Sequence, residues 1–326
     1  MKDFVIFRHP KEEKIQAFVG TWQVQSFNLD KETFWIKPFE DDQSIFSLNN
    51  ASKVQWTNIN LEVGQELHEE PIEDGSANFV SYIGEILSAI GLGRIKKAVP
   101  ARRSFVRRDI FSLEELFVKN MERNPEAFCY LLYGETFGFW MGASPEMFFH
   151  YTNEVGESMS LAGTRGNADT RSFGKKEFEE QGIVSSYIQQ ILSNFATEVR
   201  VEAAKPMEAA HLSHLHSRVT CKINKSKIPE LLDNLHPTPA VGGVPRKESL
   251  NIIDKHEDFS RGLYSGWLGQ TENGRLRSYV NLRCAQVFKN GMLCYAGCGV
   301  NKGSDPLAEF EETESKMRVM KDLLNS

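Results

Sequence analysis

The stretch NGMLCYAGCGVNKGSDPLAEFEETESK, residues 290–316, decides the fold. It begins with Asn290-Gly291, a dipeptide typical of hairpin turns, and residues 292–296 have the apolar composition of a buried strand. Two glycines then permit close approach of other groups to the backbone. Asp305 can cap a helix whose first turn opens with Pro306. The stretch therefore predicts a strand, a glycine-rich turn and a helix.

The predicted helix carries charged groups within its apolar face. At about 100° per residue, Glu309, Glu312 and Lys316 fall in the same arc as the apolar side chains. Burying carboxylates costs free energy unless a cation or hydrogen-bond donors compensate. Alternatively, the first turn projects past the core and its glutamates stay in solvent near the helix N-terminus. The apolar members of the arc are Phe310, Met317, Val319, Met320, Leu323 and Leu324.

A second helix, predicted over residues 175–195, repeats this pattern. Glu177 and Glu180 lie three residues apart on its apolar side. Four converging carboxylates would repel one another strongly without a positive ion between them. A ligand set made only of oxygen atoms favours a hard ion, Mg²⁺ rather than Zn²⁺. The two helices together therefore predict a Mg²⁺ site.

Composition excludes several classes of partner. The 326 residues carry a formal net charge of −6, which argues against nucleic acid. No apolar run approaches the length needed to span a membrane, and we expect no membrane partner. The five cysteines are odd in number and lack metal-ligand spacing, so we expect reduced core residues in a cytoplasmic protein.

Three further features indicate a pocket. The rigid segment HPTPAVGG, residues 236–243, contains two prolines and two glycines and predicts a fixed loop. Arg283 lies midway along a predicted strand, where a buried guanidinium requires either a protein carboxylate or a substrate carboxylate. We favour the substrate, because the nearby acidic groups are assigned to the ion. Glu146 follows a turn and can be a simple turn residue or a functional carboxyl.

Taken together, these segments resemble the chorismate-utilising enzymes, which include isochorismate, salicylate, anthranilate and aminodeoxychorismate synthases. The resemblance covers residues 97–316, and residues 1–85 match poorly. It implies an α/β (α+β) fold, with a single domain over residues 1–326 in which helices surround two stacked, mainly antiparallel β-sheets. The matching pieces are GASPE (142–146), LAGTRG (161–166), KEFEE (176–180), HLHS (214–217), HPTPAVGG (236–243), EDFSRGLYSG (257–266), LR (282–283) and YAGCGVNKGSDPLAEFEETESK (295–316).

The resemblance also implies roles for individual residues. Glu180 and Glu312 resemble direct Mg²⁺ ligands, with Glu177 and Glu309 acting through water. His214 resembles the histidine near the departing C4 hydroxyl of chorismate. The residues that resemble the family's substrate contacts are Gly163, Thr164, Ala240, Tyr264, Leu282, Arg283, Gly297 and Lys316.

The member of the family depends on the nucleophile. Lys97 resembles the lysine that activates water in isochorismate and salicylate synthases, and Lys96 is the competing candidate. Lys97 must be neutral to accept a proton, and Glu146 must be protonated to donate one, so burial should raise the pKa of Glu146. Water would add at C2 and the C4 hydroxyl would depart as water. The resemblance thus implies an isomerase of the isochorismate synthase type.

Two alternatives remain open. Salicylate synthases also eliminate pyruvate, but the loop at residues 236–243 looks more like that of isochorismate synthases. A non-catalytic subunit that binds chorismate is the non-enzymatic alternative. For a water-using enzyme we expect no glutamine-amidotransferase partner, a monomer or homodimer, and a product that enters menaquinone or catechol siderophore synthesis.

Two departures from the family pattern bear on the site. Gln181 stands where the family usually has a histidine after the acidic pair. Pro100 interrupts the strand expected to carry Lys97, which predicts an edge strand or a bulge.

Overall fold

The computed structural model describes residues 1–40, 44–67, 76–108, 112–166, 172–209 and 212–324. Six α-helices lie in this part of the chain: α1 (Ser76–Gly91), α2 (Leu113–Arg123), α3 (Lys175–Phe195), α4 (Ile228–Leu235), α5 (Arg246–His256) and α6 (Pro306–Leu324). The strands are β1 (Asp3–Arg8), β2 (Ile15–Val24), β3 (Thr33–Lys37), β4 (Phe46–Lys53), β5 (Lys97–Ala98), β6 (Ala101–Arg107), β7 (Phe128–Gly134), β8 (Gly138–Ser144), β9 (Met147–Thr152), β10 (Val155–Gly166), β11 (Thr197–Val201), β12 (Lys205–Ala209), β13 (Leu212–Lys222), β14 (Gly243–Val244), β15 (Trp267–Glu272), β16 (Arg275–Val280), β17 (Cys284–Phe288), β18 (Gly291–Gly297) and β19 (Val300–Asn301).

Most strands belong to one antiparallel sheet. Within the described residues its order is β11-β13-β10-β9-β16-β15-β3-β4-β2-β1-β7-β8-β17-β18-β6, and β12 pairs with β13. The four N-terminal strands lie in the middle of this order, so the stretch that carries no chemical motif forms the centre of the sheet.

Aromatic contacts show that the sheet folds back on itself. Five strands separate β16 from β7, so a flat sheet would place them about 29 Å apart at the usual strand spacing. Instead, the rings of Phe128 on β7 and Tyr279 on β16 stack with centroids 4.3 Å apart. Phe7 and Phe34 meet in the same interior, with ring centroids 5.0 Å apart. The prediction of two stacked, mainly antiparallel layers in a mixed α/β domain is confirmed, with both layers belonging to one continuous sheet.

Helices cover both outer faces of the folded sheet. Residues alternate along β1, so that Val5 packs in the interior between the layers while Ile6 packs outward with α2 and α6. On the other layer, Val184 and Ile188 of α3 pack with α4 against β9, β10 and β13. The N-terminal turns of α3 and α6 lie close together, since Lys176 of α3 pairs with Glu309 of α6 at 2.7 Å.

The stretch at residues 290–316 folds as predicted. A turn at Asn290 joins β17 to β18, and α6 begins at Pro306. Asp305 caps the helix, because its side chain accepts a hydrogen bond from the backbone N–H of Ala308 at 2.9 Å.

A second, small sheet carries Lys97. Its order is β14-β5-β19, so β5 is the central strand and the prediction of an edge strand is wrong. Pro100 lies in the gap between β5 and β6, where its missing N–H interrupts neither ladder.

The five cysteines are free and buried, as predicted. No helix in the described ranges is both long and apolar enough to cross a membrane.

Candidate active site

Most of the predicted site residues line one cavity. It lies where β5, β10 and β18 meet α3, α6 and the loop after α4. The predicted residues in its wall are Lys97, Glu146, Thr164, Glu180, His214, Ala240, Tyr264, Leu282, Arg283, Gly297 and Lys316. Gly163, Glu177, Glu309 and Glu312 lie beside the cavity and not in its wall. Wall residues that the sequence did not single out as such are Val99, Pro145, Leu161, Ala162, Val241, Tyr295, Ala296 and Gly299.

The structure distinguishes Lys97 from Lys96. Lys97 is 1% exposed, and its ammonium donates to Glu180 Oε1 at 2.9 Å. The neighbouring Lys96 precedes β5 and is exposed. Lys97 is therefore the lysine that the cavity can use.

Glu146 is a buried carboxyl without a hydrogen-bond partner at one oxygen. It is 1% exposed, and nothing in the described structure hydrogen-bonds to its Oε1. Burial raises the pKa of Glu146 to about 8, although the charges of Lys97, Lys316 and Arg283 oppose this shift. The predicted rise is confirmed, and Glu146 holds a proton at neutral pH.

Arg283 and His214 form a hydrogen-bonded pair. The guanidinium Nη2 of Arg283 donates to Nε2 of His214 at 3.0 Å, and Nδ1 of His214 lies 3.1 Å from Oγ1 of Thr164. A guanidinium can only donate, so Nε2 is the accepting nitrogen and Nδ1 carries the proton. Burial, followed by the charges of Arg283 and Lys316, holds the pKa of His214 well below its ordinary value. The ring is neutral and orients Arg283.

Arg283 lies between β16 and β17, so the prediction that it lies midway along a strand is wrong, and it has no counter-ion among the described residues. Within the described part of the chain, no carboxylate lies within 4.0 Å of its guanidinium, although the side chain is buried. Burial lowers the pKa of Arg283 to about 10, so the group remains charged at neutral pH. A buried charge of this kind is suited to an anionic ligand.

Three of the four predicted metal ligands pair with lysines. Besides the Lys97–Glu180 pair, Glu309 accepts from Lys176 at 2.7 Å and Glu312 pairs with Lys316 at 2.6 Å. Each of these three glutamates pairs with a lysine ammonium, and four carboxylates converging on one position are not observed among the described residues.

The fourth predicted ligand has a different contact. Glu177 Oε2 accepts from the backbone N–H of Gly174 at 2.7 Å and so caps α3. Among the residues that the structure describes, no group of three or more His, Cys, Asp or Glu side chains is arranged to hold a metal.

The donor chemistry nevertheless fits a hard divalent cation. Burial, followed by the charge of Glu312, raises the pKa of Glu309 to about 6, so these carboxylates are incompletely compensated. Lys176 pairs with Glu309 at 2.7 Å, and although burial lowers the pKa of Lys176, the charges of Glu309, Glu180 and Glu312 raise it above its ordinary value. Gly299 leaves room for Glu180, since a Cβ there would lie 2.0 Å from Glu180 Oε1.

Gly163 supports the site from behind the wall. It forms a bulge in β10 between Ala162 and Thr164, with φ of +67°. A Cβ at this position would lie 2.9 Å from Cβ of Glu177. The glycine therefore lets the first turn of α3 approach β10, and it does not face the cavity.

Gln181 belongs to a buried polar cluster. Its Nε2 lies 2.9, 2.7 and 2.8 Å from the hydroxyls of Ser160, Ser185 and Ser217. Its hydrogen bonds thus join α3 to β10 and β13 and do not go to the adjacent Glu180. Ser160 and Ser217 lie 21 and 36 residues from Gln181 along the chain. Helical periodicity therefore does not reveal these contacts.

Comparisons with known proteins identify the family of this chain. The chain matches the family model of the chorismate binding enzymes over residues 14–325. It is 33% identical over 199 residues to the chloroplastic isochorismate synthase of Catharanthus roseus, which covers 56% of this chain and 34% of that protein. It is 31% identical over 202 residues to isochorismate synthase MenF of Bacillus subtilis, covering 57% of this chain and 42% of that protein.

The chain thus spans less than half the length of these two curated relatives. Among solved structures, the menaquinone-specific isochorismate synthase MenF of Escherichia coli superposes with a TM-score of 0.82 at 19% identity. The superposition covers 99% of this chain and 88% of that one, and at this identity it shows a shared fold.

Proposed function

This chain belongs to the family of chorismate binding enzymes, and on that premise we propose that it is an isochorismate synthase. The observation that carries the proposal is the presence of a buried amine and a buried, protonated carboxyl in one cavity. Lys97 and Glu146 line the same cavity, and the charge of Lys97 acts on Glu146. A proton acceptor and a proton donor on one cavity are what the exchange of a hydroxyl between two ring carbons requires.

The substrate we propose is chorismate, which carries two carboxylates. Arg283 supports this choice, because its buried guanidinium has no carboxylate within ion-pair distance in the described chain. His214 fixes the orientation of that guanidinium, and the Nδ1–H of His214 donates in turn to the hydroxyl of Thr164. A second cation, Lys316, lies in the same wall and donates to the backbone oxygen of Gly297 at 2.8 Å.

In the reaction we propose, Lys97 in its neutral form takes a proton from water as the water oxygen bonds to C2. Glu146 gives its proton to the C4 hydroxyl, which leaves as water while the ring double bonds shift. One water enters and one departs, so the product, isochorismate, is an isomer of the substrate. Because water and not ammonia is the nucleophile, the proposal includes no glutamine-amidotransferase subunit.

We further propose that Glu180 and Glu312 hold a Mg²⁺ ion, with Glu177 and Glu309 contributing through water. The ion would supply positive charge for a carboxylate of the substrate. Supporting this, all the candidate ligands provide oxygen atoms, and Glu309 carries an incompletely compensated charge. The paired lysines Lys97 and Lys316 would then be freed from these two carboxylates for contacts with water and substrate.

A product assay tests the proposal. The purified chain is incubated with chorismate, with Mg²⁺ or with a chelator, and the products are separated by chromatography. We expect isochorismate in equilibrium with chorismate when Mg²⁺ is present, and no conversion with chelator. Fluorescent salicylate with free pyruvate would identify a salicylate synthase instead, and binding without turnover would indicate a non-catalytic subunit.

Two lysine variants complete the test. Lys97→Ala should abolish conversion while chorismate still binds, because Lys97 acts on water and not on the substrate carboxylates. Lys96→Ala is the matched control, since that side chain is exposed and should leave turnover unchanged. Turnover retained in Lys97→Ala would reject Lys97 as the base.

A further inference from the structure

A buried ion pair outside the cavity holds the backbone that carries Lys97. Glu257 follows α5, and Arg261 lies four residues later in the loop that leads to β15. The Nε and Nη2 groups of Arg261 donate to the two carboxylate oxygens of Glu257 at 2.7 and 2.5 Å. The side chains of Arg261 and Glu257 are only 2% and 4% exposed, so water screens their charges little.

The remaining hydrogen bonds of the two side chains go to two backbone segments that contribute to the cavity wall. Arg261 Nη2 donates to the carbonyl of Val99 at 2.7 Å, and Nη1 donates to the carbonyl of Val241 at 3.0 Å. Oε1 of Glu257 accepts from the backbone N–H of Ala101 at 2.8 Å. Val99 and Val241 both line the cavity, and Val99 is two residues from Lys97.

We propose that Glu257 and Arg261 form a positioning pair that sets the place of Lys97 relative to the loop at residues 236–243. This inference rests on the proposed function, in which Lys97 is the base. Among the described residues, few direct hydrogen bonds join the two segments: Val99 N–H donates to the carbonyl of Gly242 at 2.9 Å, Lys96 N–H donates to the carbonyl of Val244 at 2.7 Å, and β5 pairs with the two residues of β14. The guanidinium crosses between them in a fixed, planar geometry, which a lysine could not reproduce.

The location of the pair allows a specific experiment. Arg261 and Glu257 also border a second cavity of about 870 Å³, which neither Lys97 nor Val99 lines. In Arg261→Ala, a guanidinium ion can enter from this cavity and take the place of the lost group, beside the ring of Phe39 that Arg261 overlies at 4.3 Å. Chemical rescue therefore tests the position of the group separately from the fold.

For Arg261→Ala we expect a fall in kcat of about a hundredfold, because a displacement of about 1 Å in a reacting group has an effect of this size. The dissociation constant for chorismate should change by less than about threefold, since Arg283 and Lys316 remain in place. Millimolar guanidinium should restore part of kcat, whereas sodium chloride at equal ionic strength and urea should not. Arg261→Lys should stay impaired, because an ammonium lacks the planar fork.

Arg218→Ala is the matched control. Arg218 makes a two-bond pair with Glu157, but this pair is on the surface and neither residue lines the cavity. Arg218→Ala should lose little activity, and guanidinium should not raise its kcat. If Arg261→Ala does not fold, Glu257→Gln keeps the volume and an oxygen for Ala101 and gives the same comparison of kcat with binding.

Hydrogen exchange supplies a readout that is independent of turnover. In both Arg261→Ala and Glu257→Gln the amide of Ala101 should exchange faster than in the unmodified chain, and guanidinium should restore protection in Arg261→Ala. An unmodified chain without isochorismate synthase activity would reject the proposed function, and the exchange data would still report on the pair. A folded Arg261→Ala with unchanged kcat and exchange, or with kcat and binding lost together and no rescue, would overturn the inference.

Discussion

Glu146→Gln should make the protein more stable at neutral pH while removing its activity. The reason is that the buried carboxyl must keep its proton when the chain folds. Burial raises the pKa of Glu146 from 4.5 to about 8. Below about pH 4.5 the carboxyl is protonated in both the folded and the unfolded chain, and folding requires no proton uptake. Above it, the unfolded chain loses the proton that the folded chain retains, so stability falls as the pH rises from about 4.5 towards 8.

The magnitude follows from the interval between the two protonation equilibria. The value pH 7 is about 2.5 units above the ordinary pKa of the carboxyl in the unfolded chain. Each unit corresponds to about 1.36 kcal/mol, so keeping the proton in the folded chain lowers the free energy of unfolding by about 3 kcal/mol. Glutamine has nearly the same shape and no such cost. Nothing in the described structure hydrogen-bonds to Oε1 of Glu146, so the glutamine amide would also lack a partner at that position. The unsatisfied amide offsets about 1–2 kcal/mol of the gain.

The measurement is urea unfolding of both proteins across this pH range. Between about pH 5 and pH 7 the free energy of unfolding of Glu146→Gln should rise relative to the unmodified protein by about 2.7 kcal/mol. Glu311→Gln, which changes an exposed glutamate on α6, is the control. A stability difference for Glu146→Gln that stays constant with pH would show that Glu146 ionises normally, and the assignment of Glu146 as a proton donor at neutral pH would then be wrong.

Three other predictions concern the surroundings of the cavity. The imidazole of His214 should show no titration by NMR between about pH 5.5 and pH 8, because burial and the charge of Arg283 keep it neutral; a titration in that range would contradict its role as acceptor. Gly299→Ala should displace Glu180 and lower turnover by at least about tenfold, whereas Gly182→Ala, with open space at its Cβ, should stabilise α3 by about 1 kcal/mol and spare activity. Gln181→Leu should lower the free energy of unfolding by about 1–3 kcal/mol, as measured in urea, because three buried serine hydroxyls lose a shared donor; an unchanged stability would exclude that contribution.

The sequence was most informative where local periodicity and chemistry coincide. The stretch at residues 290–316 showed its turn, strand and capped helix because each signal lies within a few residues of the next. The two E-x-x-E pairs were found because acidic residues on an apolar helix face conflict with burial.

Other features depend on contacts that no local pattern records. The partner of Lys97 is 83 residues away, and the pairing of Glu309 with Lys176 spans 133 residues. The N-terminal strands escaped notice for a different reason. None of their described residues lines the cavity, and many combinations of apolar residues of suitable volume satisfy the packing that they contribute. The cap formed by Glu177 was within reach of sequence analysis, since a glutamate at the third helical position is a recognised capping signal.

The distribution of charge in the cavity connects the binding of a dicarboxylate to the state of the glutamates. Lys97 and Lys316 each already hold a carboxylate, while Arg283 has only the neutral ring of His214 as a partner within the described chain. A first substrate carboxylate can therefore pair with Arg283 without breaking an existing ion pair. A second carboxylate that approaches Lys316 must compete with Glu312 at 2.6 Å, and this competition is costly unless another cation compensates the displaced glutamate. For this reason the affinity for a substrate with two carboxylates should depend on divalent cation far more strongly than the affinity for an analogue with one.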